Sequence, residues 1–262
     1  MKMKVKHINI WMLAAFITVC VLFLFLLSVS CFHTAQTAVA AAAVRPLVVL
    51  DAGHGGEDGG AVGCSPVPEK VLNLSITKKI EKGLTSAGCR VVMTRTDDTM
   101  LGDNTLSTLH ERKVSDIHKR LSILQENPGG IFVSIHQNHF ADGYYNGAQV
   151  FYSSNHPKSK ILAESIRQSI VSSVQPQNKR ENKAATSSIY LLAHAKDPAI
   201  LIECGFLSNA SEAKLLNDTA YQQKMADAVT HGILNYQKQG AAVSSAVSSN
   251  RLYSSVSSAI IK

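Results

Sequence analysis

Five short apolar runs along the chain have the length and the β-branched content of buried strands. They cover residues 47–50, 90–94, 131–135, 148–152 and 199–202. Between them, two segments carry apolar residues every four positions, as amphipathic helices do: Leu72, Ile76, Ile80, Leu84, and Leu162, Ile166, Ile170, Val174. Strands that alternate with helices predict an α/β fold, a single domain with a mostly parallel, twisted sheet and helices on both faces.

The last part of the chain changes from helical to low-complexity sequence. Asn209 and Glu212 predict a capping box that begins a short helix ending near Leu216. A final helix is predicted from about Thr219 to Tyr236. Beyond it the sequence is rich in Ser and Ala with almost no charge, so we expect residues 239–262 to form a disordered tail.

The first forty residues have the pattern of an export signal. Three lysines precede an uncharged apolar run from Ile8 to Val29. This run of roughly 22 residues exceeds the core of an ordinary signal peptide and is long enough for a membrane anchor. Residues 1–40 are therefore either a signal peptide, cleaved after Ala38-Val39-Ala40, or an anchor, and residues 45–238 form the folded domain. Cys31 resembles a lipoprotein acceptor but lacks the usual leucine three positions before it.

Charge and cysteine content narrow the classes of partner. The 26 Lys and Arg residues exceed the 19 Asp and Glu residues by 7, and three of those positive charges are the leader lysines. The remaining net charge of about +4 suits an anionic polymer or an ordinary solvated surface, and we expect no nucleic-acid partner. The cysteines of the body, Cys64, Cys89 and Cys204, are odd in number and widely spaced, which predicts small buried residues instead of disulfides or zinc thiolates.

Residues suited to metal binding end three of the predicted strands. His54 follows the first strand, and His136 and Glu203 close two later ones, while Glu69 begins the first long helix. Open α/β sheets bind ligands at the carboxyl ends of their strands. Two imidazoles and a carboxylate, with an open position for water, form a catalytic zinc site. A second, unligated carboxylate would then act as general base and acid.

Each of these residues also has a simpler explanation. A histidine after a strand is more often a loop or core residue than a ligand, and Glu69 alone would be a favourable charge at a helix N-terminus. His139 competes with His136 as a ligand. Glu203 is hardest to explain structurally, since an acid that ends an apolar run is costly to bury unpaired. The glycines between residues 53 and 63 fit neither a dinucleotide fingerprint nor a P-loop.

Four motifs in this order resemble the zinc-dependent N-acetylmuramoyl-L-alanine amidases of the type 3 class. The resemblance covers roughly residues 46–238, and it rests on Leu50-Asp51-Ala52-Gly53-His54-Gly55-Gly56, Glu69, Ser134-Ile135-His136-Gln137-Asn138 and Ile202-Glu203-Cys204-Gly205-Phe206-Leu207-Ser208-Asn209. It implies that His54, Glu69 and His136 hold Zn²⁺, that Glu203 is the catalytic acid and base, and that Asn138 lines the substrate site. His139 and Cys204 depart from the family pattern.

The resemblance implies hydrolysis of the amide bond between N-acetylmuramic acid and L-alanine in peptidoglycan, outside the cytoplasm. Gly147-Ala148-Gln149 and Tyr221-Gln222-Gln223-Lys224 look most like the germination-specific amidases that act in spore cortex maturation. A zinc carboxypeptidase or endopeptidase and a non-catalytic wall-binding module are the alternatives. An activating partner protein is left open, and membrane contact is expected only through the N-terminal segment.

Overall fold

The computed structural model describes residues 16–28 and 45–260, with backbone only from residue 241 onward. Two separate compact units are present, one up to residue 45 and one from Pro46 onward. In the first, residues 16–28 form helix α1. Within the described ranges, no helix combines the length and the apolar character needed to cross a membrane. Cys31 and the predicted cleavage site at Ala38-Val39-Ala40 lie outside the described residues.

One six-stranded sheet organises the second unit. Its strands are β1 (Leu47–Ala52), β2 (Arg90–Met93), β3 (Ile131–Asn138), β4 (Gln149–Tyr152), β5 (Lys183–Ala184) and β6 (Ala199–Phe206), in the spatial order β2-β1-β3-β6-β4-β5. Strands β2, β1, β3 and β6 are parallel, and β4 runs antiparallel to β6. The predicted mostly parallel sheet is confirmed.

Helices cover both faces of this sheet, also as predicted. They are α2 (Glu69–Ser86), α3 (Leu109–Gln125), α4 (Lys158–Ser173), α5 (Tyr190–His194), α6 (Ala210–Asn217) and α7 (Thr219–Ile260). One core packs α2, α4 and α7 against side chains such as Leu50, Val133 and Ile202. The other packs α3 and α5 against Val49 and Phe132. Alternate residues along β1, β3 and β6 therefore pack into opposite cores.

Several elements differ from the sequence predictions. Helix α3 was not predicted, although Thr108 and Glu111 form a complete capping box at its start. The predicted helix end at Tyr236 and the disordered tail from residue 239 are wrong in secondary structure, because α7 continues to Ile260. No glycine or proline follows Gly240, so nothing in that sequence terminates a helix.

Two smaller predictions were right only in part. Cys89 and Cys204 are buried, but Cys64 is exposed because it lies in the loop before α2 and not on a core-facing element. Asn209 caps α6 by accepting a hydrogen bond from the Glu212 amide, as expected. The Glu212 side chain does not complete the capping box, since it accepts hydrogen bonds from the amides of Gly147 and Phe206 instead.

The topology places a crevice at the carboxyl ends of β1, β3 and β6. The chain leaves β1 for β2 on one side, whereas β3 lies on the other side, so the strand order reverses next to β1. Such a reversal opens a gap between the flanking loops, where α/β proteins bind ligands. His136 and Glu203 are paired residues of neighbouring parallel strands, so their side chains lie on the same face.

Candidate metal centre

Three of the predicted site residues meet in this crevice. His54, Glu69 and His136 each offer a ligand atom, and these atoms all lie within 4.8 Å of one another. Glu69 Oε2 is 3.2 Å from His54 Nε2, and Glu69 Oε1 is 3.1 Å from His136 Nδ1. Nitrogen and carboxylate oxygen donors at this spacing suit a zinc-sized cation. The group includes His136 and not its competitor His139, which is exposed just beyond β3.

Glu69 is buried and fully engaged at the start of α2. Beyond the two imidazoles, it accepts hydrogen bonds from the Ala61 amide at 2.6 Å and the Gln137 amide at 3.0 Å. The Asn73 side chain donates a further one at 3.1 Å. Burial alone would raise the pKa of Glu69, but the hydrogen bonds from His136 and His54 hold that pKa well below its usual range. The carboxylate is therefore a fixed anion.

His54 is held on its other side by a second carboxylate. Its Nδ1 lies 2.7 Å from Asp58 Oδ2, and Lys113 Nζ is 2.8 Å from the other Asp58 oxygen. Burial would lower the pKa of His54, but the hydrogen bonds with Asp58 and Glu69 raise it to about 9. The carboxylates of Asp58 and Glu69 stabilise positive charge at His54, so they would stabilise a bound metal cation as well as a proton. Asp58 would fix the imidazole with Nε2 facing the metal.

Two glycines let the backbone approach these ligands. A Cβ on Gly53 would lie 2.2 Å from the His136 ring, and one on Gly60 would lie 2.5 Å from Glu69 Oε2. Gly60 also has a positive φ of 77°, which other residues adopt only with strain. The glycine-rich sequence after β1 therefore permits close packing around the three candidate ligands.

Two buried arginines hold the backbone that carries His54. Arg120 of α3 donates to the carbonyls of His54 at 2.6 Å and Ala52 at 2.8 Å, and it pairs with the buried Asp51 at 2.6 Å. Arg95 donates to the carbonyls of Ala52 at 2.8 Å and Gly53 at 3.0 Å. His54 has a φ of 62°, unusual for a residue other than glycine. We infer that these arginines stabilise that conformation.

Asp58, Arg95 and Arg120 were not among the site residues predicted from the sequence. Asp58 lies four residues after His54 in the glycine-rich loop, and its acidic side chain next to a candidate ligand was a usable signal. Both arginines come from segments distant in sequence, and Arg120 lies on the helix that was not predicted. Their contacts depend on tertiary packing that no local pattern encodes.

Glu203 lies beside the three candidate ligand residues, on strand β6, where it pairs with His136 of β3. The residue as a whole is partly exposed, but its Oε2 atom is buried and has no hydrogen-bond partner among the described residues. Burial raises the pKa of Glu203 to about 7, since the nearby charge of His136 offsets only part of the desolvation. A carboxylate poised near neutral pH beside a candidate metal site is suited to proton transfer.

Asn138 lies two residues beyond His136 at the end of β3. It is half-buried, and its backbone carbonyl accepts a hydrogen bond from the Leu207 amide at 2.8 Å. Because strand side chains alternate, its amide lies on the same face of the sheet as His136. Its side chain is therefore in a position to border the crevice.

Comparison with known families decides what kind of protein this is. The model of the N-acetylmuramoyl-L-alanine amidase family matches residues 48–235, which include all five predicted site residues. The chain belongs to this amidase family. The membership favours peptidoglycan amide hydrolysis over the two alternatives, a zinc peptidase and a non-catalytic wall-binding module.

Relatives of this amidase agree in sequence and in structure. The germination-specific N-acetylmuramoyl-L-alanine amidase of Bacillus subtilis is 34% identical over 190 residues, which cover 72% of this chain and 79% of the relative. The CwlD amidase of Clostridioides difficile, solved in complex with the GerS lipoprotein, is 39% identical with a TM-score of 0.72 over 74% of this amidase and 99% of CwlD. The amidase AmiC2 of Nostoc punctiforme is 30% identical with a TM-score of 0.62, over 74% of this chain and 98% of AmiC2.

Proposed function

We propose that this amidase is zinc-dependent, with His54, Glu69 and His136 as the metal ligands and Glu203 as general base and acid. The observation that supports this most strongly is the set of three ligand atoms within 4.8 Å, next to a carboxylate with an unpaired buried oxygen. The bond cleaved is the amide between N-acetylmuramic acid and L-alanine. Asn138 borders the substrate at the end of β3.

The side chains of the site have two roles in the reaction: some hold the metal, and one transfers a proton. A bound zinc ion supplies Lewis acidity, which activates water and polarises a carbonyl. Asp58 orients His54, and Glu69 keeps its negative charge between the two imidazoles. Glu203 accepts the proton of the attacking water and returns it to the leaving nitrogen of L-alanine. Burial raises the pKa of Glu203 to about 7 in the metal-free protein, and a bound cation would lower it from there, which favours the charged form that accepts the proton.

Mass spectrometry of digested muropeptides tests this proposal. The purified protein, loaded with zinc, is expected to release intact stem peptides that begin with L-alanine. A chelator should abolish the release, and added zinc should restore it. Fragments cut between amino acids of the stem would identify a peptidase, and release that a chelator leaves unchanged would contradict zinc dependence.

We also propose that the N-terminal segment directs export. The basic start and the apolar run to Val29 support this, and a peptidoglycan substrate requires action outside the cytoplasm. N-terminal sequencing of the protein from its native cells distinguishes the two forms. A start just after Ala40 indicates a cleaved signal peptide, whereas an uncleaved chain in the membrane fraction indicates an anchor.

A role in spore cortex maturation, with an activating partner protein, is the narrower proposal. The germination-specific relative and the CwlD complex with a lipoprotein support it. Zinc affinity and turnover of the purified protein should rise when a lipoprotein partner from the same organism is added. Deletion of the gene should leave cortex muropeptides with their stem peptides. Full activity of the purified protein without a partner, together with an unchanged cortex in the deletion strain, would contradict this role.

A further inference from the structure

An exposed aromatic cluster borders the crevice, on the loop of residues 139–147 between β3 and β4. Phe140 and Tyr144 are 53% and 80% exposed. Both rings contact Tyr145, at centroid distances of 5.0 and 6.2 Å, and Tyr145 stacks on Phe206 at 6.2 Å. The proposed chemistry uses none of these residues.

Arg180 packs against this cluster with its charged end available. Its guanidinium carbon lies 4.6 Å from the centre of the Phe206 ring and 5.8 Å from that of Tyr145. Its Nε donates to the Asn146 carbonyl at 2.8 Å. Among the described residues, neither of its terminal nitrogens has a hydrogen-bond or ion-pair partner. The guanidinium is thus oriented by two rings and one hydrogen bond, with its outer N–H groups free.

The carboxylate of Glu212, an acid whose pKa the charge of Arg180 lowers, does not bond to those N–H groups. The Glu212 carboxylate instead accepts hydrogen bonds from the Phe206 and Gly147 amides, at 2.7 and 2.9 Å. Burial raises the pKa of Glu212 despite these bonds and despite Arg180. No ion pair joins Arg180 and Glu212 in the described part of the chain. Glu212 therefore stabilises the backbone, and Arg180 keeps an unsatisfied positive charge at the surface.

Strand register places Arg180 close to the proposed reaction site. His136 pairs with Glu203 and Asn138 pairs with Phe206, so β6 advances three residues where β3 advances two. This bulge returns Phe206 to the face that carries Glu203. Two residues of strand span about 7 Å. The guanidinium beside Phe206 is thus on the order of 10 Å from the position of Glu203, given that strand spacing and the ring contact.

We infer that Arg180 binds a carboxylate of the stem peptide, on the second or third residue after the cleaved bond. The inference rests on the proposed function, because it takes the amide bond to lie beside Glu203. An extended peptide spans about 3.3–3.6 Å per residue, which matches this separation. A planar guanidinium with two free N–H groups suits bidentate carboxylate binding, and the flanking rings keep it oriented.

Matched substrates test this inference. Two muropeptides are compared that differ only in whether the carboxylates of the second and third stem residues are free or amidated. The parent protein should have a lower KM for the free form. Arg180→Met should raise that KM about tenfold to hundredfold, the range expected for a charge-assisted contact, with kcat nearly unchanged. Its KM for the amidated form should change little, and Arg180→Lys should recover part of the affinity.

Two further variants serve as a control and a safeguard. Arg167→Met removes an arginine that pairs with Glu164 on α4, so it should leave both KM values unchanged. Tyr145→Leu removes one flanking ring and leaves Arg180 in place. It should raise KM for the free form alone, by a smaller factor, and it keeps the test valid if Arg180→Met fails to fold.

Equal KM changes for the two substrates would overturn the inference, since they would indicate a contact to the sugar or a general disturbance. Unchanged KM values in Arg180→Met would overturn it as well. Calorimetry also measures the binding affinity of the free and amidated stem peptides, and this measurement does not depend on turnover. Absence of amidase cleavage in the parent protein contradicts the proposed function. Equal binding of the two peptides by an active amidase contradicts only the role of Arg180.

Discussion

The start of α2 and the end of β6 each bring one glutamate to the same crevice, in contrasting surroundings. Glu69 accepts hydrogen bonds from two backbone amides and a side-chain amide and contacts both imidazoles. Glu203 has a buried oxygen with no partner among the described residues. The pKa of Glu69 is held low, whereas burial raises that of Glu203 to about 7.

This difference assigns different chemistry to two identical side chains. A permanently charged, immobile carboxylate is suited to hold a cation, and a carboxylate that can gain and lose a proton is suited to acid and base catalysis. Environment and not residue type therefore separates the proposed ligand from the proposed base. The predictions that follow test the contrast from its largest expected effect to its smallest.

Glu203→Gln should show the largest effect. The amide keeps the size of the side chain but cannot accept the proton of water, so kcat should fall by about 10²- to 10⁴-fold. Zinc content should stay at one ion per chain, because Glu203 is not among the three grouped candidate ligands. Turnover and metal analysis of the same sample check this, and near-native turnover would refute the role of Glu203.

Glu69→Gln should show the opposite pattern, a loss of metal affinity. Removing one of three proposed ligands should weaken zinc binding by about 10²- to 10³-fold. This loss corresponds to only part of the binding free energy that zinc sites provide. Competition with a chelator measures this affinity. Glu81→Gln on the same helix is the control, since Glu81 lies near the surface and accepts a hydrogen bond from Thr85 one turn later. Unchanged affinity in Glu69→Gln would remove Glu69 from the ligand set.

The raised pKa of Glu203 predicts a pH effect on the free energy of unfolding of the zinc-free protein. Its pKa rises from the ordinary 4.5 to about 7 in the folded state, so the folded chain holds a proton that the unfolded chain releases. The favourable contribution is complete below about pH 4.5 and is lost as the pH rises through 7. Between these values the parent should lose roughly 3 kcal/mol relative to Glu203→Gln.

Urea unfolding of both proteins at several pH values measures that difference. Glu203→Gln has no proton to lose at this position, and it shares every other titrating group with the parent. A stability difference between the two proteins that does not change with pH would show that Glu203 has an ordinary carboxyl pKa, and one that grows in favour of the parent would show that its pKa is lowered; in either case the contrast with Glu69 would fail.

Asp58→Asn should show the smallest effect. The asparagine no longer places a negative charge against His54 Nδ1, which should weaken zinc binding by about 10- to 100-fold. Chelator competition again provides the measurement. Asp103→Asn is the matched control, because Asp103 is an exposed acid bonded within its own loop. Equal affinities of the Asp58 and Asp103 variants would show that Asp58 does not act through His54.

The main strands and three of the candidate site residues could be predicted from the sequence because both have local signals. An apolar run that ends in a ligand-type residue marks a buried strand and its carboxyl end, and His54, His136 and Glu203 all follow that pattern. The ion pair between Asp51 and Arg120, by contrast, could not be predicted, since Arg120 lies 69 residues away on an unpredicted helix. The low pKa of Glu69 and the unpaired oxygen of Glu203 are likewise products of packing, and spacing along the chain contains neither.

A crystal structure of the zinc-loaded protein, with anomalous scattering recorded at the zinc edge, tests the central claim most directly. We expect one ion bonded to nitrogens of His54 and His136 and to a Glu69 oxygen at about 2.0–2.2 Å, with Glu203 nearby but not bonded to it. An ion bonded to Glu203 in place of Glu69, or no ion between the two imidazoles, would contradict the division of roles between the two glutamates.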